Sequence, residues 1–168
     1  MRRMSQNYCV NTGPHEDNNP VDEKNRRCVG IVAIDAIPFS YGGTDSQYFK
    51  GNILRELNKA FCGFSFETPN DKLDGKLAPL ATGNWGCGAF GGDKEIKTLI
   101  QWMAASRVGR STRYYTFNDK QLSDRQRELV KVLLEHKLTV GQLYAILTGG
   151  KLSRGNVFKH VMEKATEL

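Results

Sequence analysis

The stretch from residue 81 to residue 93 constrains the fold more than any other part of the chain. It reads Ala81-Thr82-Gly83-Asn84-Trp85-Gly86-Cys87-Gly88-Ala89-Phe90-Gly91-Gly92-Asp93 and holds five glycines, Gly83, Gly86, Gly88, Gly91 and Gly92. An apolar segment precedes it, with Leu77 to Thr82 reading as a strand and Pro79 marking an edge or an irregular start. A helical pattern follows, in which Ile96, Leu99, Ile100, Met103 and Ala104 recur on one face. Glycine lets the backbone turn sharply and lets a ligand approach main-chain amides. The start of the next helix adds unpaired N–H groups and a positive dipole end. Strand, glycine loop and helix together suit a phosphate or pyrophosphate; the plain alternative is a tight structural turn.

The rest of the chain alternates in the same way. Residues 1–28 are polar and turn-rich and read as a loop or disordered arm. Val29–Ile34 is a β-branched apolar run, the pattern of a buried strand. Ile53, Leu54, Leu57, Ala60 and Phe61 give an amphipathic helix that Gly63 is expected to end. Arg113–Phe117 reads as a further strand. Ser123 with Gln126, and Thr139 with Gln142, have capping-box spacing for two helices, the second ending at Gly149, and a last helix is expected from about Asn156. This order argues for a layered α/β fold.

The charge balance of +6 favours polyanionic or phosphate-rich partners. Four cysteines (Cys9, Cys28, Cys62 and Cys87) with no CxxC spacing, and only three histidines, argue against a zinc site and against a disulfide framework. No metal and no cofactor is expected. No apolar run reaches the length of a membrane span, and the N-terminus lacks the apolar stretch of a signal peptide. The expected setting is a reducing intracellular compartment.

Two nucleotide signatures can be weighed directly. Gly86 and Gly91 have Walker A spacing, but Gly92 stands where the lysine is required, so a P-loop is excluded. Gly86-x-Gly88-x-x-Gly91 is literally a GxGxxG, which leaves a dinucleotide-binding oxidoreductase of the NAD type as a rival, with Asp119 as its ribose-binding acid. Trp85 and Phe90 are bulky for such a turn.

The stretch ATGNWGCGAFGGD (81–93), followed by KTLIQWMAAS (97–106) and YYTF (114–117), resembles the poly(ADP-ribose) glycohydrolase family. So do IVAIDA (31–36) and RELNKAFCGF (55–64) upstream and KLTVGQLY (137–144) downstream. The resemblance implies an α/β macrodomain, a mixed sheet flanked by helices, of which residues 29–168 would be the C-terminal portion. It implies ADP-ribose or poly(ADP-ribose) as ligand, ADP-ribosylated proteins as partners, and the nucleus or cytoplasm as location. No membrane association and no direct DNA binding is expected. Asn84, Trp85, Gly86, Cys87, Gly88, Ala89 and Phe90 match the family's loop around the diphosphate and distal ribose, and Phe117 matches an aromatic residue beside the adenine. An aromatic face does suit a purine by stacking, although on its own Phe117 reads as a core residue of a strand. Trp85 and Trp102 read as packing residues, and Cys87 as a buried small residue rather than a nucleophile.

The chain departs from the family in one respect. The family's catalytic signature, a Gly-Gly-Gly run followed by Gln-Glu-Glu, does not occur here. The resemblance implies hydrolysis of ribose–ribose O-glycosidic bonds, in which a glutamic acid protonates the leaving oxygen and then activates water. Such chemistry needs positioned carboxyl groups. The expectation is therefore a chain that carries the ligand loop without a catalytic residue, inactive alone, with a non-catalytic ADP-ribose binding module as the alternative. Of the acids nearest the loop, Asp93 and Glu95 fall at a helix start and read as caps, and Asp35 reads as a turn residue.

Overall fold

Three short parallel strands carry the functional end of the molecule: β1 (Tyr8–Asn11), β4 (Leu80–Gly83) and β5 (Thr112–Tyr115), in the order β1-β5-β4. They belong to a computed structural model that describes residues 8–11, 18, 20–21, 23–25, 27, 29–41, 43–65, 72–73 and 76–168. Most of the arm expected over residues 1–28 lies outside these, but Tyr8–Asn11 within it is a strand, paired with β5. Antiparallel pairing among the described residues of this mixed α/β fold joins β2 (Lys72–Leu73) with β3 (Lys76–Leu77) and, as an isolated bridge, Val21 with Arg27. Pro79 falls between β3 and β4, where its missing N–H costs no ladder bond.

The described residues hold five α-helices: α1 (Lys50–Phe64), preceded by a 3-10 turn at Thr44–Tyr48, α2 (Lys94–Val108), α3 (Lys120–Glu135), α4 (Val140–Gly149) and α5 (Val157–Thr166). The sequence pattern gives α2 a single apolar face, yet every residue from Glu95 to Ser106 is buried. The helix is enclosed because α1, α4 and α5 all pack on it. Its polar residues are accordingly bonded inside: Gln101 Nε2 donates to the carbonyl of Gly83 at 3.0 Å, and Thr98 Oγ1 donates to the carbonyl of Lys94 at 2.8 Å and accepts from Gln126 Nε2 at 2.7 Å.

Several local expectations are corrected. Residues 29–38 form no strand; Ile31 is 91% exposed, and Val29 and Val32 are exposed as well. Their β-branched composition records a preference for burial, but a strand also needs a ladder partner, and none stands beside them among the described residues. Gly63 does not end α1, which runs on to Phe64. Its glycine is required because a Cβ there would meet Ile34 Cγ2 at 2.6 Å. Leu54 and Phe61, expected on the buried face, are exposed. β5 stops at Tyr115, so Phe117 lies in the turn beyond it. The Ser123–Gln126 capping box is absent: Asp119 caps α3 by accepting from Leu122 N, and Ser123 is buried inside the helix. The Thr139–Gln142 box is present in both directions, α4 ends at Gly149, and Asn156 precedes α5.

Candidate functional site

β4 and β5 lie side by side in parallel, with Gly83 in register with Tyr115. Their carboxyl ends therefore release two chain segments next to one another: the glycine-rich loop 84–92, and the turn holding Phe117. In open α/β sheets ligands bind at such strand ends. Gly83 must be glycine because a Cβ would meet the Tyr115 carbonyl at 2.7 Å and the Phe117 ring at the same distance. Asn84 fastens the two strand ends together. Tyr114 Oη donates to its Oδ1 at 3.0 Å, and its Nδ2 donates to the Thr116 carbonyl at 3.3 Å. This leaves Asn84 one N–H and one lone pair for anything else. Burial raises the Tyr114 hydroxyl well above its ordinary range, which keeps it a donor.

The loop is wound by its own backbone. Trp85 N donates to the Gly83 carbonyl, Cys87 N to Asn84, Gly91 N to Gly88 and Gly92 N to Gly86. Gly86 sits at φ 72°, where a side chain would also meet Ala36 Cβ at 2.7 Å. Gly88, Ala89 and Phe90 are exposed, and their three consecutive amides have no hydrogen-bond partner among the described residues. The Phe90 carbonyl accepts from the amides of Phe39 and Ser40 at 2.8 and 3.1 Å, which fixes the tip. Consecutive free amides in a turn form an anion-binding concavity.

The start of α2 is a different matter. Asp93 is buried; its Oδ1 accepts from Glu95 N, its Oδ2 accepts from Tyr48 Oη at 2.6 Å, and its own N–H goes to Gln47 Oε1 at 2.6 Å. The positive end of the helix is thus already faced by the protein's own carboxylate. The sequence-based cradle is corrected accordingly: the open donors are those of the loop tip, not those of the helix terminus.

Beneath the loop, Lys97 and Glu56 form an ion pair with side chains 1% and 2% exposed. Burial pushes the Lys97 ammonium down to about 7, and the charge of Arg55 adds to this. The Glu56 carboxylate offsets that cost, as does the face of Trp85, whose centroid lies 4.0 Å from Nζ. Glu56 Oε1 also accepts from Ile37 N at 2.9 Å, so one pair ties α1, α2, the residue 37 turn and Trp85 together. Trp85 donates Nε1–H to the Ile34 carbonyl at 3.2 Å. It is a packing residue of the loop's base, and Trp102 is fully buried in the core. Cys87 is half-buried and burial pushes its thiol up to about 12, far from the range of a nucleophile. The sequence reading missed Lys97, Glu56, Gln47 and Tyr48; a lysine set between Ile96 and Leu99 was the available signal.

Phe117 is the reverse of a core residue. It is 76% exposed and sits at φ 55°, in the left-handed region that a bulky side chain rarely adopts. Asp119 does not stand ready for a ribose. Lys94 Nζ donates to its Oδ2 at 2.7 Å and Leu122 N to its Oδ1, and these bonds lower its carboxyl below the usual range.

Glu95 and Asp35 are also engaged. Glu95 pairs with Arg125, and its Oε2 accepts from Phe158 N at 2.9 Å at the start of α5. Asp35 pairs with Lys59 and Arg55, each at 2.5 Å, and these partners hold it at about 2. A general acid at neutral pH needs the opposite shift. Among the described residues no three His, Cys, Asp or Glu side chains gather as metal ligands, and no helix is long and apolar enough to cross a membrane.

Comparison with known proteins decides the relationship. A family model described as poly(ADP-ribose) glycohydrolase, macro domain fold, matches residues 4–124. The chain belongs to the poly(ADP-ribose) glycohydrolase family. It is 33% identical to the probable poly(ADP-ribose) glycohydrolase 2 of Arabidopsis thaliana, over 79% of this chain and 31% of the relative. It is 32% identical to poly(ADP-ribose) glycohydrolase 1 of Caenorhabditis elegans, over 85% of this chain and 18% of the relative. Poly(ADP-ribose) glycohydrolase 1 of Arabidopsis thaliana is 31% identical, over 80% and 35%. The chain spans about a third or less of the length of these relatives. The family match includes the glycine loop and Phe117; α4 and α5 lie beyond it.

Proposed function

We propose that this chain holds ADP-ribose, as a free molecule or as a unit of poly(ADP-ribose), and that it is the ligand-binding portion of a poly(ADP-ribose) glycohydrolase rather than a complete catalyst. One observation carries the reading: three exposed, unbonded amides at Gly88–Phe90 follow the carboxyl end of β4, and an exposed aromatic ring on a strained backbone at Phe117 follows the adjacent carboxyl end of β5. The amides suit a diphosphate and the ring suits an adenine. Asn84 and Trp85 position the loop, Gly86 shapes it, and Cys87 fills its inner side.

Cleavage of a ribose–ribose bond needs a proton delivered to the leaving oxygen and an oriented water. The carboxylates of Asp93, Glu95, Asp119 and Asp35 are all committed to caps or ion pairs, which supports binding without cleavage by this chain alone. The occupied Asp119 argues against the dinucleotide oxidoreductase. Titration calorimetry with ADP-ribose, AMP and NAD tests the reading. Saturable binding of ADP-ribose, tighter than AMP or NAD and weakened in Phe117→Ala, is expected. Equal affinity for NAD and ADP-ribose, or no binding by the folded chain, overturns it.

A further inference from the structure

The loop between α4 and α5 reaches back to the glycine loop. Its shape is locked locally: Ser153 N donates to Asn156 Oδ1 at 2.8 Å, Asn156 N donates to the Ser153 carbonyl at 3.2 Å, and Gly155 takes φ 80°. Buried Leu152 anchors one side and buried Val157 the other. Arg154 stands on the exposed tip of this turn, and its Nη2 donates to the Gly91 carbonyl at 2.8 Å, 63 residues away in sequence. The positive charge is felt at Cys87 within the glycine loop and at Tyr48 beneath it, in each case favouring the ionised form. Among the described residues no carboxylate pairs with Arg154. A guanidinium has five N–H donors in a planar fork that suits phosphate oxygens, and Gly91 occupies one of them.

We propose that Arg154 is a phosphate-contacting residue of the ligand site, closing the diphosphate of ADP-ribose against the amides of Gly88, Ala89 and Phe90. The inference rests on the ADP-ribose reading above and adds a residue beyond the part of the chain that the family match covers. It gives α4 and α5 a part in binding: they carry a cation to the loop whose own backbone supplies neutral donors. Guanidinium and amides then approach the same anion, and charge-assisted hydrogen bonds to phosphate are the strong ones.

The test compares the intact chain with Arg154→Gln and Arg154→Lys. Circular dichroism checks the fold, which this exposed position leaves intact. Dissociation constants for ADP-ribose and for adenosine are read by NMR shift titration at two salt concentrations. The expected result for Arg154→Gln is a loss of about tenfold for ADP-ribose, none for adenosine and a shallower salt dependence; Arg154→Lys keeps most of the affinity. Unchanged ADP-ribose affinity in Arg154→Gln overturns the inference and leaves the loop reading standing. An equal loss for adenosine also overturns it, because the residue then acts only through the fold. Failure of the parent chain to bind ADP-ribose overturns both.

Discussion

Replacing Phe117 by glycine separates what the residue does for the fold from what it does for the ligand. The ring is 76% exposed, so about a quarter of its area is buried. For a side chain of ~200 Å² that is ~50 Å², or about 1.2 kcal/mol at ~25 cal/mol per Å². Against this stands the left-handed backbone at φ 55°, which costs a non-glycine residue on the order of 1–2 kcal/mol and a glycine almost nothing. The two nearly cancel. Phe117→Gly is expected to change stability by no more than about 1 kcal/mol, a Tm shift of roughly 2–4 °C for a chain of this size. The ligand has no such compensation. Loss of a stacking face removes ~1–3 kcal/mol, which is a rise in Kd for ADP-ribose of about 5- to 150-fold. Thermal melting and calorimetry on the same preparation give both numbers. A variant that stays folded with an unchanged Kd refutes the stacking role. A collapse in stability of more than about 3 kcal/mol refutes the claim that the ring is held out for a ligand, and marks it as a core residue after all.

Three further outcomes are expected. Lys97→Met takes one of two cations from the buried Glu56 carboxylate, leaving Arg55 Nη1 on its Oε1 at 2.7 Å, and should destabilise the chain by about 1–3 kcal/mol; adding Glu56→Gln, which keeps an acceptor for Ile37 N, should recover part of this, as denaturant midpoints will show. Asp35 has its carboxyl depressed from 3.8 to about 2, so its contribution is present above about pH 4 and is lost as pH falls through about 2. Acid melts of the parent and Asp35→Asn should therefore differ above that window and converge below it; a difference that persists below pH 2 contradicts the assignment. Ile31, 91% exposed in an apolar segment, makes the chain prone to self-association; Ile31→Lys should lower light scattering at unchanged Tm, and an equally aggregating variant places the sticky surface elsewhere.

The sequence was legible wherever local chemistry and tertiary context agree. The Thr139–Gln142 cap, the helix after the glycine loop and the existence of strands near Leu80–Gly83 and Thr112–Tyr115, though not their parallel pairing, follow from spacing that acts over a few residues. It misled where a local signal had to compete. Ser123 and Gln126 have capping-box spacing, but Asp119 starts the helix earlier and draws Ser123 into the core. Val29–Ile34 has the composition of a buried strand, but composition does not supply a neighbour. Phe117 matched a strand pattern, and its backbone turns left-handed two residues beyond the last ladder position, which no periodicity reports. The loop residues 84–90 stand together on the one segment that leaves the end of β4. Their division into amides that remain free and side chains that hold them in place depends on contacts with Tyr114, Ile34, Lys97 and Phe39, all distant in sequence.

The division of labour within the site leads to the last prediction, that the chain alone does not release ADP-ribose from poly(ADP-ribose). A general acid or base contributes typically 10²–10⁴-fold and must hold its proton near neutral pH. Beside the glycine loop, the protein has instead placed carboxylates where cations and helix ends grip them. Asp35 is held near 2 by Lys59 and Arg55, Asp93 is locked between Tyr48 and the start of α2, and Glu95 is shared by Arg125 and α5. Each would have to leave its partners before it could serve a glycosidic oxygen, and Asp93 and Glu95 would leave buried groups unsatisfied. In the proposed site the loop and Arg154 would present donors to the ligand, while Asp35, Asp93, Glu95 and Asp119 are already engaged by other groups of the protein. The purified chain should give no ADP-ribose by chromatography, alone or as Asp35→Asn. A second polypeptide carrying a Gly-Gly-Gly run and a Gln-Glu-Glu segment should restore release, and that release should fall in Phe117→Ala, because the ligand would then be held by one chain and cut by the other. Hydrolysis by the chain alone that survives rigorous purification and disappears in Asp35→Asn would mean that this exposed, doubly paired carboxylate is the acid, and the separation of binding from cleavage would be wrong.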